Sequence, residues 1–86
     1  METRIALVGI IVEDQEMTGR LNELLHAYSS YIVGRMGIPL KDRNLGVISV
    51  VLDAPSNIIS SLSGKLGMLE GISVKTVYSK VGAHGA

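Results

Sequence analysis

Four places in the chain carry side chains that could do chemistry: Glu13-Asp14, His26, Arg35 and Ser63-Gly64-Lys65-Leu66-Gly67. His26 is a nitrogen donor, but a metal site needs several ligands, and His84 near the C-terminus is the only other histidine. It reads first as an exposed or subunit-edge residue; a metal site shared across a subunit boundary is the remaining alternative. Arg35, between Gly34 and Met36, can pair with a carboxylate of a neighbour or hold an anionic effector through its planar fork of donors. The Ser63–Gly67 segment has glycines and a lysine in the manner of a phosphate loop. It lacks the Walker spacing, however, and falls at the end of a helical pattern, whereas phosphate cradles sit at helix beginnings. Gly64 is read as a close-packing position and Lys65 as a complement to the helix dipole. Asp14 is an N-cap with Glu13 as its neighbour. No combination of these groups forms a nucleophile with a base, so the sequence points away from an enzyme.

The elements that position these residues follow from hydrophobic spacing. Residues Arg4 to Val12 are apolar on both alternating sets, Ile5, Leu7 and Ile11 against Ala6, Val8, Ile10 and Val12, as in a strand covered on both faces. A helix follows, capped by Asp14, with Met17, Leu21, Leu24, Leu25 and Tyr28 as its core stripe and His26 opposite. It fades across Tyr28–Tyr31. Ile32 to Met36 reads as a short second strand closed by Gly37-Ile38-Pro39, and Lys41 to Asn44 as a turn. Leu45 to Asp53 is a third strand, again apolar on both sides. Pro55 breaks it, and Ser56 is placed to cap a second helix whose stripe is Ile58, Ile59, Leu62, Leu66 and Leu69. Gly67 or Gly71 ends that helix, and Ile72 to Ser79 alternates as the last strand.

The order is βαββαβ, and its halves match: Ile5 with Leu45, Leu7 with Val47, Ile10 with Val50, Val12 with Leu52, Leu21 with Leu62 and Leu25 with Leu66. Two such units make an α+β, ferredoxin-like sandwich, a four-stranded antiparallel sheet with two helices on one face and the first and third strands central. One domain spans residues 1–80, with 81–86 a flexible tail. Both central strands are apolar on both sides, yet the helices cover only one. A bare sheet face of that character calls for a cover. A second copy of the chain is the economical one, as a dimer or a dimer of dimers.

Composition removes several function classes. The chain has 86 residues, eight basic and eight acidic, so it carries no electrostatic footprint for nucleic acid or anionic membrane. It has no cysteine, which removes disulfides, thiolate metal sites and thiol catalysis. The central strands hold no aromatic platform on which RNA bases could stack. The stretch after the first strand, Val12-Glu13-Asp14-Gln15-Glu16, is acidic where an acylphosphatase-like site would need an anion-cradling loop. No apolar run approaches the ~18 residues of a membrane span, and a cytoplasmic protein without cofactor is expected.

Several segments together carry a family resemblance: Ile10-Ile11-Val12-Glu13-Asp14, Asn22-Glu23-Leu24-Leu25-His26-Ala27-Tyr28, Gly34-Arg35-Met36-Gly37-Ile38-Pro39, Ser63-Gly64-Lys65-Leu66-Gly67 and Gly71-Ile72-Ser73-Val74-Lys75-Thr76. They resemble the small proteins grouped as regulators of the iron-only hydrogenase system, from about Arg4 to Lys80. The resemblance implies an ACT-like domain, akin to amino-acid-binding ACT domains and to the C-terminal domain of nickel-responsive regulators. Such relatives take effectors at a subunit boundary near the turn after the first strand, which here is Glu13-Asp14 without the usual Pro-Gly. Of the nickel regulators' histidine and cysteine ligands only His26 has a counterpart, and no DNA-binding ribbon or helix-turn-helix is evident. The expected function is therefore an oligomeric regulatory domain that senses a small effector through Glu13, Asp14, His26 and Arg35. It would act in transcriptional or metabolic regulation through a protein partner, without contacting nucleic acid itself. The alternative is a structural or assembly accessory protein with no ligand.

Overall fold

The computed structural model describes residues 2–80. The strands are β1 (Arg4–Val12), β2 (Ile32–Leu40), β3 (Leu45–Ala54) and β4 (Ile72–Tyr78), and the helices α1 (Thr18–Ala27) and α2 (Ser56–Gly67). The sheet order is β2-β3-β1-β4 with every neighbour antiparallel, which is the ferredoxin-like arrangement. The tail expected at 81–86 lies outside the described residues. Among the described residues no helix is long and apolar enough to cross a membrane.

Register decides which side chains share a face. β1 pairs Ala6 with Leu52, Val8 with Val50 and Ile10 with Ile48. This set turns toward the helices, where Leu21, Leu25 and Tyr28 and then Ile59, Leu62 and Leu66 complete a buried core. Full burial of each such aliphatic side chain is worth about 1.5–3 kcal/mol, so this layer supplies most of the fold's stability. The other set, Ile5, Leu7 and Ile11 with Val47 and Val51, looks away from the helices. In the single chain it is therefore open, and the two-sided cover inferred from the strand pattern is met on one side only.

Four details differ from the sequence reading, each for a local reason. Asp14 does act as a cap, accepting from the Glu16 amide at 3.0 Å, but it caps a 3-10 turn, Gln15–Met17, that precedes α1. β2 continues through Gly37 and Pro39 to Leu40 instead of closing at Met36. It is an edge strand, and there a proline without an N–H costs no ladder bond. α2 begins at Ser56, with Pro55 as its cap residue: the Pro55 carbonyl accepts from Ile58 and Ile59 at 3.0 and 3.2 Å, and no side chain caps the helix. A proline's fixed φ suits that entry. Gly64 is exposed with nothing near the position of a Cβ, so it serves no close packing.

Gly71 has a positional requirement. Its φ is +73°, and a Cβ there would strike the Cβ of Asp14. Its carbonyl accepts from the amides of Glu13 and Asp14 at 2.7 and 3.1 Å, tying the end of β1 to the start of β4.

Candidate functional site

The four candidate effector residues fall into two groups. Glu13 and Asp14 sit at the end of β1 beside β4. Glu13 accepts from the Ser73 hydroxyl at 2.9 Å, and Asp14 is held by its cap bond and by the Gly71 carbonyl. Arg35 lies on β2, aligned through Val50 with Val8, five residues before Glu13 along β1 and two strands away. His26 is on α1, exposed, one helical turn past Asn22. The structure thus brings Arg35 and His26 to the α1–β2 side and leaves Glu13 and Asp14 at the β4 side.

Arg35 rises from the helix-facing side of β2 and donates from Nη2 to Oδ1 of Asn22 at 3.2 Å. That amide, not a carboxylate, is its partner among the described residues. Among the described residues of the single chain Arg35 thus forms no ion pair. Thr18, Asn22 and His26 recur every fourth residue and so lie in one row along α1. The Asn22–Arg35 bond shows that this row faces β2.

Below that row is a cleft of about 290 Å³. Val12, Gly46 and Ile48 form its floor, Gln15 and Thr18 one wall, and the Gly37-Ile38-Pro39 segment of β2 with Val47 the other. The Gln15 side-chain amide reaches the Asn44 carbonyl only at 3.5 Å, leaving most of its donor capacity for something else. The lining offers one amide and one hydroxyl against an apolar floor, with a guanidinium close by. That chemistry suits holding a small molecule. Gln15, Thr18, Asn22, Gly37 and Gly46 escaped the sequence reading as site residues, Gly37 being read there as part of the close of the second strand. Among the described residues no cluster of His, Asp or Glu is arranged to hold a metal ion.

One ionisable group is perturbed. Tyr28 is largely buried, and the hydrogen bond of its hydroxyl with Ser61 at 2.8 Å, followed by Lys65 beside it, lowers its pKa from the ordinary 10.0. Lys65 also lies over the ring, 5.5 Å from its centroid. This group ties α1 to α2 and is separate from the cleft.

Residues 4–76 match the model of the TM1266-like family, described as "Iron-only hydrogenase system regulator, putative". The chain belongs to that family. A solved structure, that of the uncharacterized protein TM1266 from Thermotoga maritima, is 44% identical and superposes with a TM-score of 0.87, covering 92% of this chain and 100% of that one. No curated protein matches. The ferredoxin-like scaffold is shared with the Thermotoga protein.

Proposed function

We propose that this TM1266-like chain is a non-enzymatic regulatory domain that pairs with a second copy of itself through the open face of its sheet. It takes a small effector near the subunit boundary and passes the resulting state to a protein partner, in transcriptional or metabolic control of the iron-only hydrogenase system. One observation carries the reading. On the face away from the helices Leu7 is 45% exposed, Met36 60% and Val77 63%, with Ile5, Ile11, Ile38, Val47 and Val51 beside them. Soluble monomers rarely expose contiguous apolar patches beyond a few hundred Å², and a standard interface covers about 800 Å² per partner.

The face is also suited to a copy of itself. Gly9 leaves a hollow of about 300 Å³ between Ile11, Val47 and Lys75, into which a projecting side chain of a facing sheet can seat. Asp53 and Lys75 stand on the same face with opposite charge, as a two-fold, self-complementary contact allows. Ile38 and Val47 belong both to this face and to the lining of the α1–β2 cleft. A ligand in the cleft would therefore bear on the backbone of strand segments whose side chains the partner copy covers, and would bias the assembly by its differential affinity for one arrangement.

Light scattering at micromolar concentration is expected to give a dimer or a multiple of it. Leu7→Asp is expected to give a monomer whose circular dichroism is unchanged. A wild-type chain that runs as a clean monomer would remove the basis of this reading.

A further inference from the structure

The α1–β2 cleft has a filled counterpart in the same molecule, and the comparison shows what made it. Leu7 and Val47 hold matching places in the two halves, so Ala6 corresponds to Gly46 and Val8 to Ile48. The sheet pairs Gly37 with Ile48 and Pro39 with Gly46; in the other half it pairs Thr76 with Val8 and Tyr78 with Ala6. Thr76 and Tyr78 therefore stand where Gly37 and Pro39 stand. The match of Leu21 with Leu62 likewise sets Thr18 against Ile59 and Asn22 against Ser63.

In the second half these positions close the space between helix and sheet. Ile59 is fully buried, the Ser63 hydroxyl bonds that of Thr76 at 2.7 Å, and the Tyr78 hydroxyl reaches Ser60 at 3.4 Å. In the first half the isoleucine is a threonine, the threonine a glycine and the tyrosine a proline. A methyl at Gly37 would meet nothing nearer than Cγ1 of Ile48, at 3.9 Å. With no side chain on β2 to meet, Asn22 turns to Arg35 instead. The cleft is a set of omitted side chains, and Arg35, two residues before Gly37 on the same face of β2 and bonded to Asn22 one turn past Thr18, stands next to it.

We infer that this cleft binds a short aliphatic carboxylate that carries no ammonium group, of the 2-oxo or 2-hydroxy acid class. The carboxylate pairs with Arg35, whose guanidinium keeps donors beyond the single one given to Asn22. The hydrocarbon lies over Gly37, Pro39 and Ile48, and the second oxygen meets Gln15 and Thr18. The volume sits at the lower end of the ~300–1,000 Å³ of ordinary ligand pockets, which limits the ligand to a few carbons. An ammonium would enter a lining that itself holds no carboxylate.

The inference rests on the reading of this chain as an effector-binding domain, and the test separates the two. The ¹⁵N-labelled full chain is titrated with 4-methyl-2-oxopentanoate, with leucine and with 4-methylpentanamide, following amide shifts. The oxo acid is expected to move the amides of Thr18, Gly37 and Gly46, binding roughly tenfold or more tightly than either analogue. Arg35→Gln is expected to weaken it by a similar factor with the spectrum otherwise intact. Gly37→Thr, which restores the residue of the filled half, is expected to abolish it. Equal binding of leucine or the amide, or undiminished binding by either variant, overturns the carboxylate assignment while the effector reading stands. If neither these probes nor nucleotides nor divalent cations move any amide, the effector reading falls as well.

Discussion

Alternate residues of β1 differ little in hydrophobicity, yet Ala6, Val8, Ile10 and Val12 lie under the helices while Ile5 and Leu7 face outward. β3 divides in the same way, with Val50 and Leu52 inside and Val47 and Val51 on the other side. Two faces of one sheet thus share a composition and differ in what covers them. Strand periodicity reports which side chains stand together, because successive Cβ atoms alternate across the pleat. It is silent about what lies above them. The helix-covered face holds the chain in its fold, and the open face leaves its apolar side chains uncovered in the single chain.

The sharpest way to break this contrast is to cut equal amounts of side chain from the two faces. Leu62→Ala empties a fully buried place beneath α2 and is expected to cost about 2–5 kcal/mol in urea denaturation. Met36→Ala on the open face, measured where the chain is dissociated, is expected to stay within about 0.5 kcal/mol. Comparable losses from the two would mean that the open face contributes to the fold itself. A smaller effect concerns how the helix-covered side is sewn together. Ser63→Ala leaves the Thr76 hydroxyl without its partner and is expected to cost about 1 kcal/mol by the same measurement.

The smallest expected change is one of titration. Because the Ser61 hydrogen bond and Lys65 lower the Tyr28 pKa, the folded state favours the phenolate. The chain accordingly gains stability as pH climbs from Tyr28's own pKa toward the ordinary 10.0, and does not lose it over that window. Lys65→Met is expected to move the Tyr28 ionisation upward, read from phenolate absorbance. An unmoved titration would mean that the ammonium exerts no influence at that hydroxyl.

Much of this was legible in the residues themselves. β1 was expected at Arg4 to Val12 and lies there, and the stripes of both helices face the core as their spacing implied. The internal match of the halves holds in space, with Leu7 and Val47 on one face and Ile10 and Val50 on the other. Boundaries set by a single polar residue were less secure. Ser56 could cap a helix, but the rigid geometry of Pro55 starts α2 one residue earlier than a serine cap requires. The cleft was the hardest to see. It arises from the register of β2 against β3 and the distance from β2 to α1, neither of which is local in sequence. Arg35 stood out as a cation needing a counterpart; that Asn22 would meet it depended on α1 lying across β2. Comparing Gly37 and Pro39 with Thr76 and Tyr78 would have revealed the missing bulk, but only once the strand pairings gave the alignment.

β2 also shapes how far any association can run. Its register slips between Ile32 and Gly34, and Pro39 stands near its other end. An outer strand interrupted at one end and short of a donor at the other is a poor template for further strands. The proline and the register slip thus guard the β2 edge of the sheet against a strand of another molecule adding to it.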